Sequence, residues 1–404
     1  MYSNRKQLSL LLYDRSAMLK IIISIGKREE FMVFKKHIDS LNIDTSLLGF
    51  GCMRFPTKDG HIDEPRAEAM LDRAYAAGIN YFDTAYPYHG GESEPFVGRV
   101  LDKYPRDSYF LATKLPLWQI NSLEDAKRLF AEQLERVHKD YIDFYLFHAF
   151  NAERFAKMKE YGVIEYLESE KAAGRIKYLG FSFHDSFDAF KEIIEYRKWD
   201  FCQIQYNYMD TAEQAGDAGV ALAESLGVPL IIMEPVKGGS LATLSDDLLT
   251  DLRKLRPESS AASWALRFVA SKNNVKVVLS GMTEENQLED NLKTFENFEP
   301  LSEEEEKLVG ELAEAIRNRV FIGCTGCRYC MPCPAGVDIP GSFRIWNDYG
   351  MYNNAGGTKW RWNTFKDESK PHNCVECGAC EAACPQQLEI RENLKKVTAA
   401  MEAL

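Results

Sequence analysis

The chain has 404 residues, with 49 Lys and Arg against 61 Asp and Glu, and a formal net charge of −12. That length accommodates one large domain and a smaller one, and the composition excludes intrinsic disorder, collagen and coiled coil. No apolar run approaches the roughly 20 residues of a membrane-spanning helix, and the negative field argues against nucleic acid and anionic lipid as partners.

Residues 1–31 carry apolar patches at 8–13 and 21–25, separated by Asp14, Arg15 and Lys20, with no small-residue cleavage site behind them. They read as a poorly ordered N-terminal extension, not a secretory leader. From 46 to 282 short apolar runs rich in Val, Ile, Tyr and Phe alternate with longer amphipathic segments, the pattern of parallel strands and crossover helices. Eight strands are predicted, at 47–51, 80–85, 109–115, 142–148, 176–183, 201–207, 229–235 and 275–280, with helices at 65–77, 122–138, 187–197, 212–226 and 259–270. Gly78, Gly174 and Gly227 follow three of the helices, where a left-handed cap is wanted. Eight strand–helix units predict an α/β fold of the (β/α)8 TIM-barrel type over 32–320. A doubly wound sheet would open with a glycine-rich phosphate turn, which Gly51-Cys-Met-Arg-Phe-Pro56 lacks. Ser302 and Glu305 predict a capping box at the start of a last helix.

In such a barrel, chemistry belongs at the carboxyl ends of the strands. Asp83, Lys114 and His148 stand at the ends of the second, third and fourth predicted strands, and Tyr88 follows Asp83 by five residues. A single strand-end lysine or histidine is usually a structural partner; three on successive strands face one mouth.

The segment Asp83-Thr-Ala-Tyr-Pro-Tyr88, then Gly91-Glu-Ser-Glu94, Lys114 and His148, resembles the aldo/keto reductase signature and its Asp, Tyr, Lys, His tetrad. The resemblance runs from about Leu47 to Asn291 and includes Gly174-Arg-Ile-Lys-Tyr-Leu-Gly180. It implies that a carbonyl receiving hydride from reduced nicotinamide takes its proton from Tyr88. Lys114 would lower the phenol toward phenolate by its charge, Asp83 would hold that lysine, and His148 would orient the substrate oxygen. Tyr86 is a competing phenol. The same resemblance implies that Ser182 and Gln203 hold the nicotinamide carboxamide and that Met233 packs on its ring. Gly238 and Gly239 would admit the pyrophosphate, and Asn291 would lie near the adenine. Phe183 stands where many members carry asparagine, and Gly281 and Gln287 where NADP-preferring members carry lysine and arginine. The nucleotide is therefore left open between NADP and NAD.

Eight of ten cysteines lie beyond residue 320, in a segment of balanced charge. This is not a disulfide framework, and reducing cytoplasm is the expected setting. Cys324-x2-Cys327-x2-Cys330-x2-Cys333-Pro and Cys374-x2-Cys377-x2-Cys380-x3-Cys384-Pro resemble the paired runs of two-cluster bacterial ferredoxins. The resemblance implies one [4Fe–4S] cluster on Cys324, Cys327, Cys330 and Cys384, and a second on Cys374, Cys377, Cys380 and Cys333, in a small ferredoxin-like domain over 321–404. Zinc is the alternative, and the first run departs from the usual spacing before its last cysteine. Trp346, Trp360, Trp362, Tyr349 and Tyr352, between the runs, read as a small core around the clusters, and Cys52 and Cys202 as buried apolar residues.

The expected function is an oxidoreductase reducing an aldehyde or ketone with NADPH or NADH, with an iron–sulfur module that transfers electrons or is structural. Its partners would be a small carbonyl substrate and a redox protein. A nicotinamide-binding redox sensor and a ferredoxin–NAD(P) electron-transfer enzyme are the alternatives.

Overall fold

The structure is a computed structural model that describes residues 32–296 and 298–404; the expected N-terminal extension lies outside them. Eight parallel strands close into a barrel: β1 (Leu48–Gly51), β2 (Tyr81–Asp83), β3 (Phe110–Leu115), β4 (Ile142–Phe150), β5 (Ile176–Phe183), β6 (Phe201–Gln205), β7 (Leu230–Met233) and β8 (Val275–Ser280), with β8 pairing back onto β1. All eight overlap the predicted runs. Both faces of each strand are covered, so the runs are continuously apolar instead of alternating. Tyr81, Ala112, Phe144, Leu146, Phe201, Ile231, Val277 and Leu279 fill the inside of the barrel.

A hairpin of Lys35–Ile38 and Ile43–Ser46 precedes β1, and its Leu41 and Ile43 pack against that interior cluster. The predicted crossover helices are present at Glu64–Ala76, Leu123–Arg136, Phe187–Glu195, Gly216–Ser225 and Ala261–Ala270. Those at Ser93–Leu101, Ala152–Glu160, Val163–Ala172 and Glu285–Glu296 complete the ring. The capping box forms: Ser302 accepts from the Glu305 amide while the Glu305 carboxylate accepts from the Ser302 amide.

The module beyond residue 320 has only helices as regular structure, notably Ile339–Tyr352, Ala355–Thr364 and Ile390–Glu402. Its core joins Phe343, Trp346, Ile390, Leu394 and Val397 to the partly buried cysteines. The expected aromatic core is only partly realised. Trp360 is 67% exposed, and Tyr352 instead joins Tyr208, Leu241, Trp264 and Ile316 on the barrel side. Thr243, in the loop after β7, donates to the Tyr352 carbonyl at 3.2 Å, which ties the module to the carboxyl end of the barrel. Among the described residues no helix is long and apolar enough to cross a membrane.

Candidate active site and cluster pockets

Asp83 ends β2, Lys114 lies one residue from the end of β3, and β4 carries His148, so three adjacent strands deliver their side chains to one mouth. Lys114 Nζ donates to Asp83 Oδ1 at 2.7 Å, to the Thr84 carbonyl at 2.8 Å and to the Tyr88 hydroxyl at 3.3 Å. Its three protons thus have three acceptors. The Tyr88 and His148 rings meet edge to face, 6.3 Å between centroids. The competing phenol is turned away: Tyr86 donates to Glu132 Oε1 at 2.9 Å.

A second layer that the sequence reading did not isolate fixes the Tyr88 loop. Glu94, fully buried, accepts from Thr113 Oγ1 and Gln133 Nε2 at 2.6 Å and from Arg136 Nε at 2.7 Å. Arg136 also donates to the carbonyls of Tyr86 and Gly91, so one buried carboxylate couples β3, the Leu123–Arg136 helix and the turn that carries Tyr88. The signal was present: Glu94 falls within the family-like segment, but its partners lie on β3 and on the Leu123–Arg136 helix, which a linear pattern does not pair with it.

Burial dominates the electrostatics. Desolvation disfavours the ammonium of Lys114, but Asp83 and Tyr88 outweigh it and hold the lysine protonated. Burial pushes the Asp83 carboxyl up against the pull of Lys114, and leaves its Oδ2 without a partner. Tyr88 corrects an expectation. Lys114 does lower the phenol, but burial raises it more, so in the absence of other groups Tyr88 is a phenol and not a phenolate. Burial, then the positive charges of Lys114, His184 and Arg154, hold His148 well below the ordinary 6.5, as a neutral imidazole.

Beside this mouth a cavity of about 620 Å³ runs between the loops after β7 and β8. Gly238, Gly239, Gly281, Gln287 and Asn291 line it, together with Arg54. Gly238 and Gly239 have φ of 62° and 94°, a turn that a side chain would strain. Gln203 reaches Met233 Sδ through Nε2 at 3.5 Å, and its buried Oε1 has no partner. An orphaned acceptor of that kind fits an incoming amide N–H, such as a nicotinamide carboxamide. Ser182 Oγ accepts from the Ala149 amide at 2.8 Å. Phe183 is fully buried and packs edge to face on Phe190, so it offers the mouth no polar contact. Gln287 Oε1 accepts from the Thr283 and Glu284 amides, Asn291 donates to Ser280 Oγ, and the stem of Arg54 covers Gly281.

The cysteines gather into two pockets. Cys324, Cys327, Cys330 and Cys384 line one; Cys333, Cys374, Cys377 and Cys380 line the other, with Ile339 in the wall of both. The fourth cysteine of each run thus joins the pocket of the other run. Among the described residues no three His, Cys, Asp or Glu converge on one point as a zinc ion would need. Cys52 and Cys202 are wholly buried in the barrel core.

The aldo/keto reductase family model matches residues 47–314. The chain belongs to that family. A 4Fe-4S dicluster domain model matches residues 323–388, so this member is an oxidoreductase of the family with a C-terminal iron–sulfur domain. Curated relatives include an NADH-specific methylglyoxal reductase of Escherichia coli, 26% identical over 324 residues, covering 69% of this chain and 98% of the relative. An L-galactose dehydrogenase of Arabidopsis thaliana is 25% identical over 309 residues, covering 70% and 94%. Among solved structures, an aldo-keto reductase of Bacillus halodurans in its holo form superposes with a TM-score of 0.59 at 28% identity, covering 70% of this chain and 97% of its own. The family is generally NAD(P)-dependent and acts on small carbonyl compounds.

Proposed function

We propose that this aldo/keto reductase reduces an aldehyde or ketone with NAD(P)H, with NADH preferred, at the mouth formed by Asp83, Tyr88, Lys114 and His148. The observation that carries the reading is the Lys114 ammonium held between Asp83 and the Tyr88 hydroxyl. When bound, the reduced nicotinamide supplies the hydride. Tyr88 holds the proton that the developing alkoxide needs, and its burial keeps that proton in place at neutral pH. Lys114, at 3.3 Å, stabilises the phenolate left behind, a charge that exists only after transfer. Neutral His148 orients the substrate oxygen by a hydrogen bond.

Gln203 and Ser182 would hold the carboxamide and Met233 the ring face. The turn at Gly238 and Gly239 would take the pyrophosphate, with Asn291 toward the adenine. The preference for NADH rests on the groove: Asp290 and Glu234 line it, Arg54 is the one cation among its lining residues, and Gln287 is occupied in capping. A 2′-phosphate wants basic partners.

Cys324, Cys327, Cys330 and Cys384 would ligate one [4Fe–4S] cluster and Cys333, Cys374, Cys377 and Cys380 a second. Hydride carries two electrons and a cluster passes one, so the module is read as a structural element or a relay to a redox partner protein. Thiolate clusters of this kind fit the reducing cytoplasm. Anaerobically purified protein should turn over members of a broad carbonyl panel, and Tyr88→Phe should lower kcat by about a thousandfold while binding NADH as before. Unchanged turnover in that variant would refute the assignment. Activity that survives cluster removal would make the module structural.

A further inference from the structure

Beside the tetrad stands a second cation that the hydride chemistry does not require. Arg154 lies in the first turn of the Ala152–Glu160 helix, where the positive end of the helix dipole disfavours it. No carboxylate among the described residues pairs with it. Its neighbours' acids are committed elsewhere: Glu153 pairs with Lys157 at 2.7 Å, and Asp185 accepts from the amides of Ala152 and Ser186. Arg154 Nη1 donates to the Ala149 carbonyl at 2.8 Å, one residue beyond His148, which leaves the rest of its planar fork free.

The guanidinium carbon is 5.9 Å from the Trp118 ring centroid, and the other ring near that indole is His148, at 5.0 Å. Trp118 itself is 46% exposed, a large aromatic surface at the mouth. Its ring therefore spans from the imidazole that meets the substrate oxygen to an unpaired arginine. His184, in the next strand-end loop, commits its Nδ1–H to Gln214 Oε1 at 3.2 Å, and burial disfavours a second ring proton, so the anion donors on that side are those of Arg154.

We infer that Arg154, with Trp118 as its platform, forms an anion subsite, and that the preferred substrates are carbonyl compounds bearing a carboxylate or phosphate a few bonds from the reacting carbon. An arginine fork reads such groups bidentately, which a point charge cannot do. The inference rests on the reductase reading of the site and names the substrate class for it.

Matched pairs test it: succinic semialdehyde against butanal for a carboxylate, and glyceraldehyde phosphate against glyceraldehyde for a phosphate. The native protein should favour the charged member of at least one pair, and which pair responds tells carboxylate from phosphate. Arg154→Met should raise KM for that charged aldehyde about tenfold to a hundredfold with a smaller change in kcat, collapsing the ratio of kcat/KM within the pair. Arg154→Lys should recover part of the ratio. No preference in either pair, or an equal loss on charged and neutral members, overturns the subsite. Should the native protein reduce neutral carbonyls of the broader panel but none of the four, the subsite is overturned; should it reduce no member of either set, the reductase reading is what fails. The subsite is then decided by succinate quenching of tryptophan fluorescence, expected in the native protein, weak in Trp118→Phe and lost in Arg154→Met; no quenching in the native protein would overturn it.

Discussion

The barrel mouth and the cysteine pockets are organised by opposite means. In the mouth every important group is positioned by the polypeptide. Lys114 and Asp83 are 1% and 3% exposed, their hydrogen bonds close on one another, and a second buried carboxylate, Glu94, braces the loop that carries Tyr88. In the module, Cys327 and Cys377 are exposed, the other six ligand candidates are half-buried, and most of the cysteines sit on irregular segments between helices. One site is preorganised by a core. The other gathers its thiols around two pockets on irregular segments, as suits a 4Fe-4S domain in which an inorganic group ties such segments together. Damage should therefore separate: lesions in the pockets should cost the module its fold, and lesions in the mouth should cost chemistry or barrel stability.

The sharpest break is at Cys384. It closes the second run in sequence, but its pocket is that of the first run. Cys384→Ala should reduce iron from about eight to about four per chain. The lost signal should be the cluster also lost in Cys324→Ala, with the module more susceptible to proteolysis than the barrel. If Cys384→Ala instead removes the same cluster as Cys377→Ala, each run serves its own cluster and the crossed assignment is wrong.

The counterpart in the barrel is Lys114→Met. Removing the ammonium leaves the Asp83 carboxylate buried beside an apolar chain, so the barrel should lose about 3–5 kcal/mol, and reductase activity should vanish while iron content stays as in the native protein. Lys114→Met with Asp83→Asn should regain part of that stability without regaining activity. Denaturant midpoints of the barrel transition read this directly, and an additive double variant would contradict the pairing.

The same contrast explains what could be read before any coordinates. The barrel was legible because continuous apolar runs of strand length recur eight times, and the mouth because strand ends are where a barrel presents chemistry. Phe183 lies on a predicted strand, but only the fold shows its ring packed on Phe190. Arg136, Trp118 and Arg154 were not legible, since each acts through contacts between segments that a linear pattern does not pair. The protonation state of Tyr88 was misjudged for a related reason: the charge of a neighbouring lysine can be inferred from sequence, but the degree of burial that opposes it cannot. In the module the ligand spacing is plain, whereas Tyr352 packs with Tyr208, Leu241 and Trp264 on the barrel side, a contact between distant segments that spacing does not reveal.

Burial at the mouth also sets the smallest effect, a pH dependence of barrel stability. Desolvation first, then the positive charges of Lys114, His184 and Arg154, place the folded-state pKa of His148 well below 6.5, whereas in the unfolded chain it titrates near that value. Between the two the unfolded state binds a proton that the folded state refuses. Stability is therefore full above about pH 6.5 and falls as the pH drops, by up to about 1.4 kcal/mol per unit for this one group. His89 and His184 are depressed as well and act in the same direction, both chiefly through burial. His148→Gln should therefore shallow the acid limb between about pH 6.5 and 5 without flattening it, above the range where carboxylates dominate. Midpoints of the barrel transition in the two proteins at several pH values measure the difference. Parallel acid limbs would mean that His148 takes up its proton in the folded barrel as readily as in the unfolded chain, and that burial does not hold it neutral.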